Sequence, residues 1–176
     1  MKIINESFII RTVRPEEYAK LGEILVEVYS NLEGFFTIDK QPAYYEMLKN
    51  VGDLTQKPTI ELFGAFSLEN ELLGGVVFIG DMQYYGSGGI ATKEKNSCGF
   101  RLLGISDVAR GLGLGKALTL KCIVRTKELK ADQLIIHTTN AMKPAWKMYE
   151  DIGFKRSDDL DFIHGDLEIF GFRYTL

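Results

Sequence analysis

Apolar residues along this chain fall into short blocks with two different periods, and the blocks predict alternating strands and helices. Phe8–Val13 reads as a strand. Pro15, Glu16 and Glu17 suit the first turn of a helix, with proline early and acids near the positive end. Tyr18, Leu21, Leu25 and Val28 continue it at helical spacing. The segment NLEGFFTIDKQPAYYEMLKN predicts a loop and a short helix. Thr59–Ser67 and Leu72–Ile79 form the two arms of a hairpin around LENE. A polar, glycine-rich loop, YYGSGGIATKEKNS, leads to a strand at Cys98–Ile105.

Leu114–Leu129 predicts a helix whose apolar face carries Leu114, Ala117, Leu118, Cys122, Val124 and Leu129, with Lys121 falling inside that face. Gln133–Thr139 reads as a strand. A helix with Pro144 near its start then runs through Ile152, and Gly153 serves as its C′ residue. Phe154–Arg156 and Leu167–Leu176 read as closing strands. The order is mixed α/β, with a strand–loop–helix unit at its centre.

Composition narrows the class. The chain has 176 residues, which suits one domain spanning 1–176. Apolar residues make up 45% and charged residues 26%, the balance of a globular protein. A net charge of −3 argues against nucleic acid as the main partner. No apolar run approaches the ~20 residues of a membrane span, and the opening MKIINESFIIRTVRPEE lacks the cleavage-like site of a secretion signal. A reducing cytoplasm with Cys98 and Cys122 as free thiols is the expectation. The two cysteines, His137 and His164 show no metal-ligand spacing, so no metal is expected.

The chemistry concentrates in ISDVARGLGLGKAL, residues 105–118. A glycine-rich turn entering a helix presents unpaired N–H groups to an anion. The nucleotide P-loop pattern fails here, because Arg110 stands at its first glycine and Ala117 at its Ser/Thr. The dinucleotide pattern G-x-G-x-x-G also fails, at Lys116 from Gly111 and at Leu118 from Gly113. The pattern Arg/Gln-x-x-Gly-x-Gly/Ala fits at Arg110, Gly113 and Gly115.

That last pattern resembles the acetyl-CoA loop of the GNAT superfamily of N-acetyltransferases. The resemblance runs from about Phe100 to Phe154: FRLLGISD leads into the loop, QLIIHTT follows one helix later, and PAWKMYEDIGF matches the family's A-x-x-[LM]-Y-x-x-x-G-F at Ala145, Met148, Tyr149, Gly153 and Phe154. The resemblance implies a central mixed sheet of about six to seven strands, flanked by helices and splayed at the acetyl-CoA site. It also implies that the backbone of Leu103, Gly104 and Ile105 pairs with pantetheine. The N–H groups of Gly111, Leu112, Gly113, Leu114, Gly115 and Lys116, beside Arg110, would hold the pyrophosphate.

The activity implied is transfer of an acetyl group from acetyl-CoA to a primary amine by direct attack. Tyr149 would act as general acid for the departing thiolate; the competing reading makes it a core aromatic in an apolar stripe. Two departures stand out. The family's glutamate near the start of the Cys98–Ile105 strand is missing from NSCGFR, and its asparagine is replaced by Met142. Asn140 either serves the same pocket or caps the following helix. The base is therefore open. His137 has the right pKa class but equally reads as a hydrogen-bonded histidine under the sheet; Asp81 could act through water. The acceptor, a small-molecule or peptide amine, would meet Phe35, Phe36, Tyr44 and Tyr45. Asp158, Asp159, Asp161 and Asp166 would then favour a cationic acceptor, unless the aromatics pack the core and the aspartates solvate a loop. A different class of reading, an acetyl-CoA-binding sensor or scaffold without catalysis, stays open, as does a homodimer.

Overall fold

The computed structural model describes Ile3, Ile4 and residues 7–176; Met1, Lys2, Asn5 and Glu6, part of the segment read for a leader, lie outside the described residues. In chain order the elements are β1 (Ile3–Ile4), β2 (Ile9–Thr12), α1 (Tyr18–Ser30), α2 (Pro42–Lys49), β3 (Ile60–Phe66), β4 (Leu72–Ile79) and β5 (Ser97–Ile105). Then follow α3 (Leu114–Glu128), β6 (Gln133–Thr138), α4 (Lys143–Ile152), β7 (Lys155–Arg156), β8 (Phe162–His164) and β9 (Leu167–Thr175). Short 3₁₀ turns fill several connections.

The strands form one mixed sheet in the order β1-β2-β3-β4-β5-β6-β9-β7, with β8 paired to β9. That is nine strands against the expected six to seven. The additions are short pieces, the two-residue β1 and the three-residue β8, which carry too few positions to show a period. Every pairing is antiparallel except β5 with β6.

The central strands are buried on both faces, and their alternation assigns side chains to two cores. Leu62, Phe66, Val77 and Ile79 face α1 and α2, where Leu21, Leu25 and Leu48 complete one cluster. Phe63, Ala65, Val76 and Phe78 face α3 and α4, where Leu118, Cys122 and Tyr149 complete the other. Cys98 and Cys122 are free and buried. One position departs from the sequence reading of α3, and one polar position it placed on the apolar face is explained. Leu129 is exposed, because the helix ends at Glu128. Lys121, the polar intruder, is only 3% exposed, and its ammonium lies 5.0 Å from the centre of the Phe63 ring. Its aliphatic stem serves as core and its charge meets an aromatic face.

Two features of β5 shape the site. Gly75 pairs with Gly104 and Val77 with Arg101, so β5 holds one more residue than β4 between these pairs. This is a bulge, with Leu102 at φ 59, and a bulge bends its strand. On the other edge, the parallel ladder to β6 has three pairs, Ser97↔Gln133, Cys98↔Leu134 and Gly99↔Ile135. Beyond Gly99 the two strands part, which opens the sheet as the family resemblance implies.

Helix packing on this frame is close enough to test. A Cβ on Gly22 of α1 would land on the backbone carbonyl of Lys49 at the end of α2, whereas a Cβ on Gly115 of α3 would meet nothing nearer than Met148 Sδ at 3.7 Å. Gly22→Ala should therefore lose roughly 1–3 kcal/mol in urea unfolding despite its better helix propensity. Gly115→Ala should lose nothing. Equal stability of Gly22→Ala and the parent would contradict this packing.

Candidate active site

The chain leaves β5 through a 3₁₀ turn at Asp107–Ala109 and enters α3 through Gly111 and Gly113, both at φ 81. This left-handed geometry suits glycine. Gly113 is the N-cap of α3 and no side chain caps it. The first N–H to find a backbone acceptor is that of Ala117, on Gly113 O at 3.0 Å. The six amides of residues 111–116 consequently have no backbone acceptor. Apart from the adjoining residues, no atom of the described residues lies within 4 Å of a Cβ built on Gly111 or Gly113, so an anion can approach this side. Leu114 is buried and anchors the helix start, while Leu112 and Lys116 are exposed. Arg110 pairs with Asp107 at 3.0 Å.

Beside this loop, the opening between β5 and β6 widens into a cavity of about 670 Å³. Leu103 lines it; Gly104 and Ile105 instead pair with Gly75 and Gly74 of β4. Thr138, at the end of β6, is 2% exposed and lines the same cavity. Its Oγ1 is the one buried side-chain polar atom without a hydrogen bond among the described residues. A buried hydroxyl without a partner is costly, and an amide-bearing ligand between the strands would satisfy it.

Tyr149 stands on α4 with its ring edge-on to Phe100 and Phe154, at centroid distances of 5.9 and 5.7 Å. It also lines the cavity. The ring packs in the core, as the aromatic-stripe reading has it, and the residue also borders the cavity. Burial pushes its pKa up, so the phenol keeps its proton at neutral pH. Asn140 neither lines the cavity nor caps α4. A 3₁₀ turn precedes the helix, and the cap falls to Thr139, whose Oγ1 accepts the Ala141 N–H at 3.1 Å.

The far wall comes from the segment after α1 and from the β8–β9 hairpin. Phe35, Phe36 and Tyr44 line it with ring spacings of 5.0 to 6.2 Å, and Phe36 meets His164 at 4.8 Å. His164 borders the cavity, and its exposed ring packs on Phe36. Tyr45 lies behind this wall and donates to the carbonyls of Tyr29 and Phe36. Tyr29 in turn donates to Leu103 O at 3.0 Å, tying α1 to β5.

The expected acids are elsewhere. Asp81 borders a separate depression of about 400 Å³. Its carboxylate accepts from the backbone and side-chain amides of Gln83 at 3.0 and 2.8 Å, which holds its pKa below the usual range. Asp159 pairs with Arg173 at 3.0 Å and Asp161 with Arg156 at 2.8 Å. None of Asp158, Asp159, Asp161 and Asp166 lines the cavity, so they supply no site for a cationic acceptor.

His137 does line it, with both ring nitrogens engaged. Nε2 lies 2.9 Å from Leu160 O, which can only accept, so Nε2 carries the proton. Nδ1 then accepts from the Tyr85 hydroxyl at 3.0 Å. Burial lowers the His137 pKa, against the Leu160 carbonyl, which raises it. The ring thus borders the cavity side by side with Tyr85, the two joined by that hydrogen bond.

Sequence reasoning missed Tyr29, Tyr85, Arg101 and Thr138. Arg101 had a signal, a lone charge inside the apolar run CGFRLLGI. The others look like ordinary core and strand residues.

Residues 25–154 match the model of the acetyltransferase (GNAT) family. The chain is 28% identical over 120 residues to an uncharacterised N-acetyltransferase, YjgM, of Escherichia coli strain K12, a match covering 66% of this chain and 71% of that one. Among solved structures, it resembles a GNAT-family acetyltransferase of Staphylococcus aureus Mu50 (TM-score 0.73, 18% identity, 96% and 98% of the two chains). It also resembles the PaiA N-acetyltransferase of Thermoplasma acidophilum in complex with coenzyme A (TM-score 0.71, 18% identity, 96% and 99%). The open edge of β5, the uncapped glycine turn and the tyrosine of α4 lie within the matched span, and this chain belongs to the GNAT acetyltransferase family.

Proposed function

We propose that the protein transfers an acetyl group from acetyl-CoA to a primary amine, with Tyr149 as the general acid. The observation that carries the reading is one continuous cavity. It brings the open edge of β5, Arg110 of the glycine turn, Tyr149 and an aromatic acceptor wall together. When bound, acetyl-CoA supplies an acetyl group activated as a thioester. The amides of residues 111–116 suit its pyrophosphate, and Leu103 and the unpartnered Thr138 hydroxyl suit the pantetheine amides.

As the amine nitrogen bonds to the acetyl carbon, the carbon–sulfur bond breaks and Tyr149 Oη gives its proton to sulfur. The amine must also lose a proton. Among the described residues no carboxylate lines the cavity, so that proton passes to Tyr85 Oη while the Tyr85 proton moves to His137 Nδ1. Solvent then takes it from the imidazole.

Tyr149→Phe should lower kcat by about 10²–10⁴-fold, the usual worth of a positioned acid, while acetyl-CoA binding stays within a few-fold. An unchanged kcat would remove the role. Binding of acetyl-CoA without thiol release on any amine would favour the sensor reading instead.

The glycine turn has its own test. Gly113→Asn and Gly113→Asp both tolerate left-handed backbone, but only the second adds charge beside the anion site. Calorimetry should show Gly113→Asp binding coenzyme A at least about tenfold more weakly than Gly113→Asn, an increment of ~1.4 kcal/mol. Equal affinities would place the pyrophosphate elsewhere.

The buried imidazole also leaves a mark on stability. Its folded pKa is lowered, so the unfolded chain takes up a proton near pH 6.5 before the folded one does. Stability is thus present above that pH and is lost as pH falls through it. Thermal melts from pH 7.5 to 5.5 should show a smaller loss in His137→Gln than in the parent. Parallel losses would mean that His137 is not held neutral.

A further inference from the structure

Among the described residues, the charge lining the cavity has one sign: Lys57, Arg101 and Arg110 border it with His137 and His164, and no Asp or Glu does. Arg110 has Asp107 as a partner. Arg101 has none among the described residues. Of the seven arginines in the chain, Arg11, Arg110, Arg125, Arg156 and Arg173 make ion pairs. Arg14 makes none among the described residues but is exposed.

Arg101 is half-buried on β5 at the bulge. Its Nη1 donates to the carbonyls of Tyr85 and Gly86, each at 3.2 Å. These two bonds hold the guanidinium in place without neutralising it. Its positive charge acts on Tyr29, Tyr44, Tyr85 and His137 and opposes ionisation of the imidazole, so it sits among the rings that wall the site. A partly buried cation is ordinarily paired, and a guanidinium presents five N–H groups in a fork that matches a carboxylate.

We propose that the acceptor is an amine that itself carries a carboxylate, held by Arg101, with an apolar body against Phe35, Phe36, Tyr44 and Met47. A free amino acid with a large apolar side chain has this chemistry. Polyamines and lysine-rich peptides do not, since their second positive charge would face Arg101. The inference rests on reading the cavity as an acceptor site, and it sharpens that reading.

The test compares matched pairs: an apolar amino acid and its carboxamide, assayed with acetyl-CoA by thiol release and, separately, by calorimetry on the protein saturated with coenzyme A. The parent should prefer the acid over the amide by about ten- to a hundredfold in kcat/KM and in affinity, the worth of a charge-assisted pair. In Arg101→Gln that ratio should fall close to one. Arg101→Lys, which keeps charge without the fork, should restore part of it and controls for misfolding. Equal use of acid and amide by the parent, or preference for a diamine, would overturn the inference. Arg101-dependent binding of the acid without turnover would uphold the carboxylate site and remove the acetyl-transfer reading, so the two failures are distinguishable.

Discussion

The site depends on a parallel ladder that stops early. β5 and β6 are held together over three residue pairs and then separate. An interior sheet edge left open exposes backbone amides and carbonyls that must find partners. The bulge at Leu102 bends β5, Tyr29 covers the carbonyl of Leu103, and the Thr138 hydroxyl is left without a partner. The rest of the gap is where a ligand with its own amides fits. A fully zipped sheet would be more stable and would have no site.

Around this opening the molecule divides its work. The side formed by α3 and its glycine turn carries backbone donors, which on the proposed function would hold phosphate without regard to what is being acetylated. The side formed by α1, α2 and the β8–β9 hairpin carries rings, and Arg101 of β5 adds a guanidinium beside them; on the proposed function these would distinguish acceptors. Tyr149 stands where the two sides meet. Its ring is held edge-on to Phe100 and Phe154, so on the proposed mechanism one residue would serve both packing and proton donation. Arg101 likewise serves two ends, anchoring the turn at Tyr85 and Gly86 while charging the acceptor wall.

Much of this was legible in the chain, because local rules decide it. Arg110, Gly113 and Gly115 and the match around Tyr149 are short-range patterns, and the main strands and helices follow from periodicity. What escaped depends on contacts between residues far apart in sequence. The aspartates of RSDDLDFIHGD look available as neighbours in the chain, but Arg156 and Arg173 occupy two of them. Asn140 looks like a cap until a 3₁₀ turn shifts the helix start and leaves the task to Thr139. Leu102 takes a left-handed backbone with no glycine to announce it. His137 is neutral and engaged because Leu160 and Tyr85 reach it from other elements.

The contact between Phe36 and His164 has a mechanical meaning. It joins the segment after α1 to the β8–β9 hairpin by ring packing, and among the described residues no strand ladder or ion pair runs between them. Such a seam parts without breaking backbone hydrogen bonds and responds little to salt. On the acetyl-transfer reading, a mouth held by that seam would let acceptor and product pass while the glycine turn, anchored at the start of α3 by buried Leu114, keeps hold of the acyl donor.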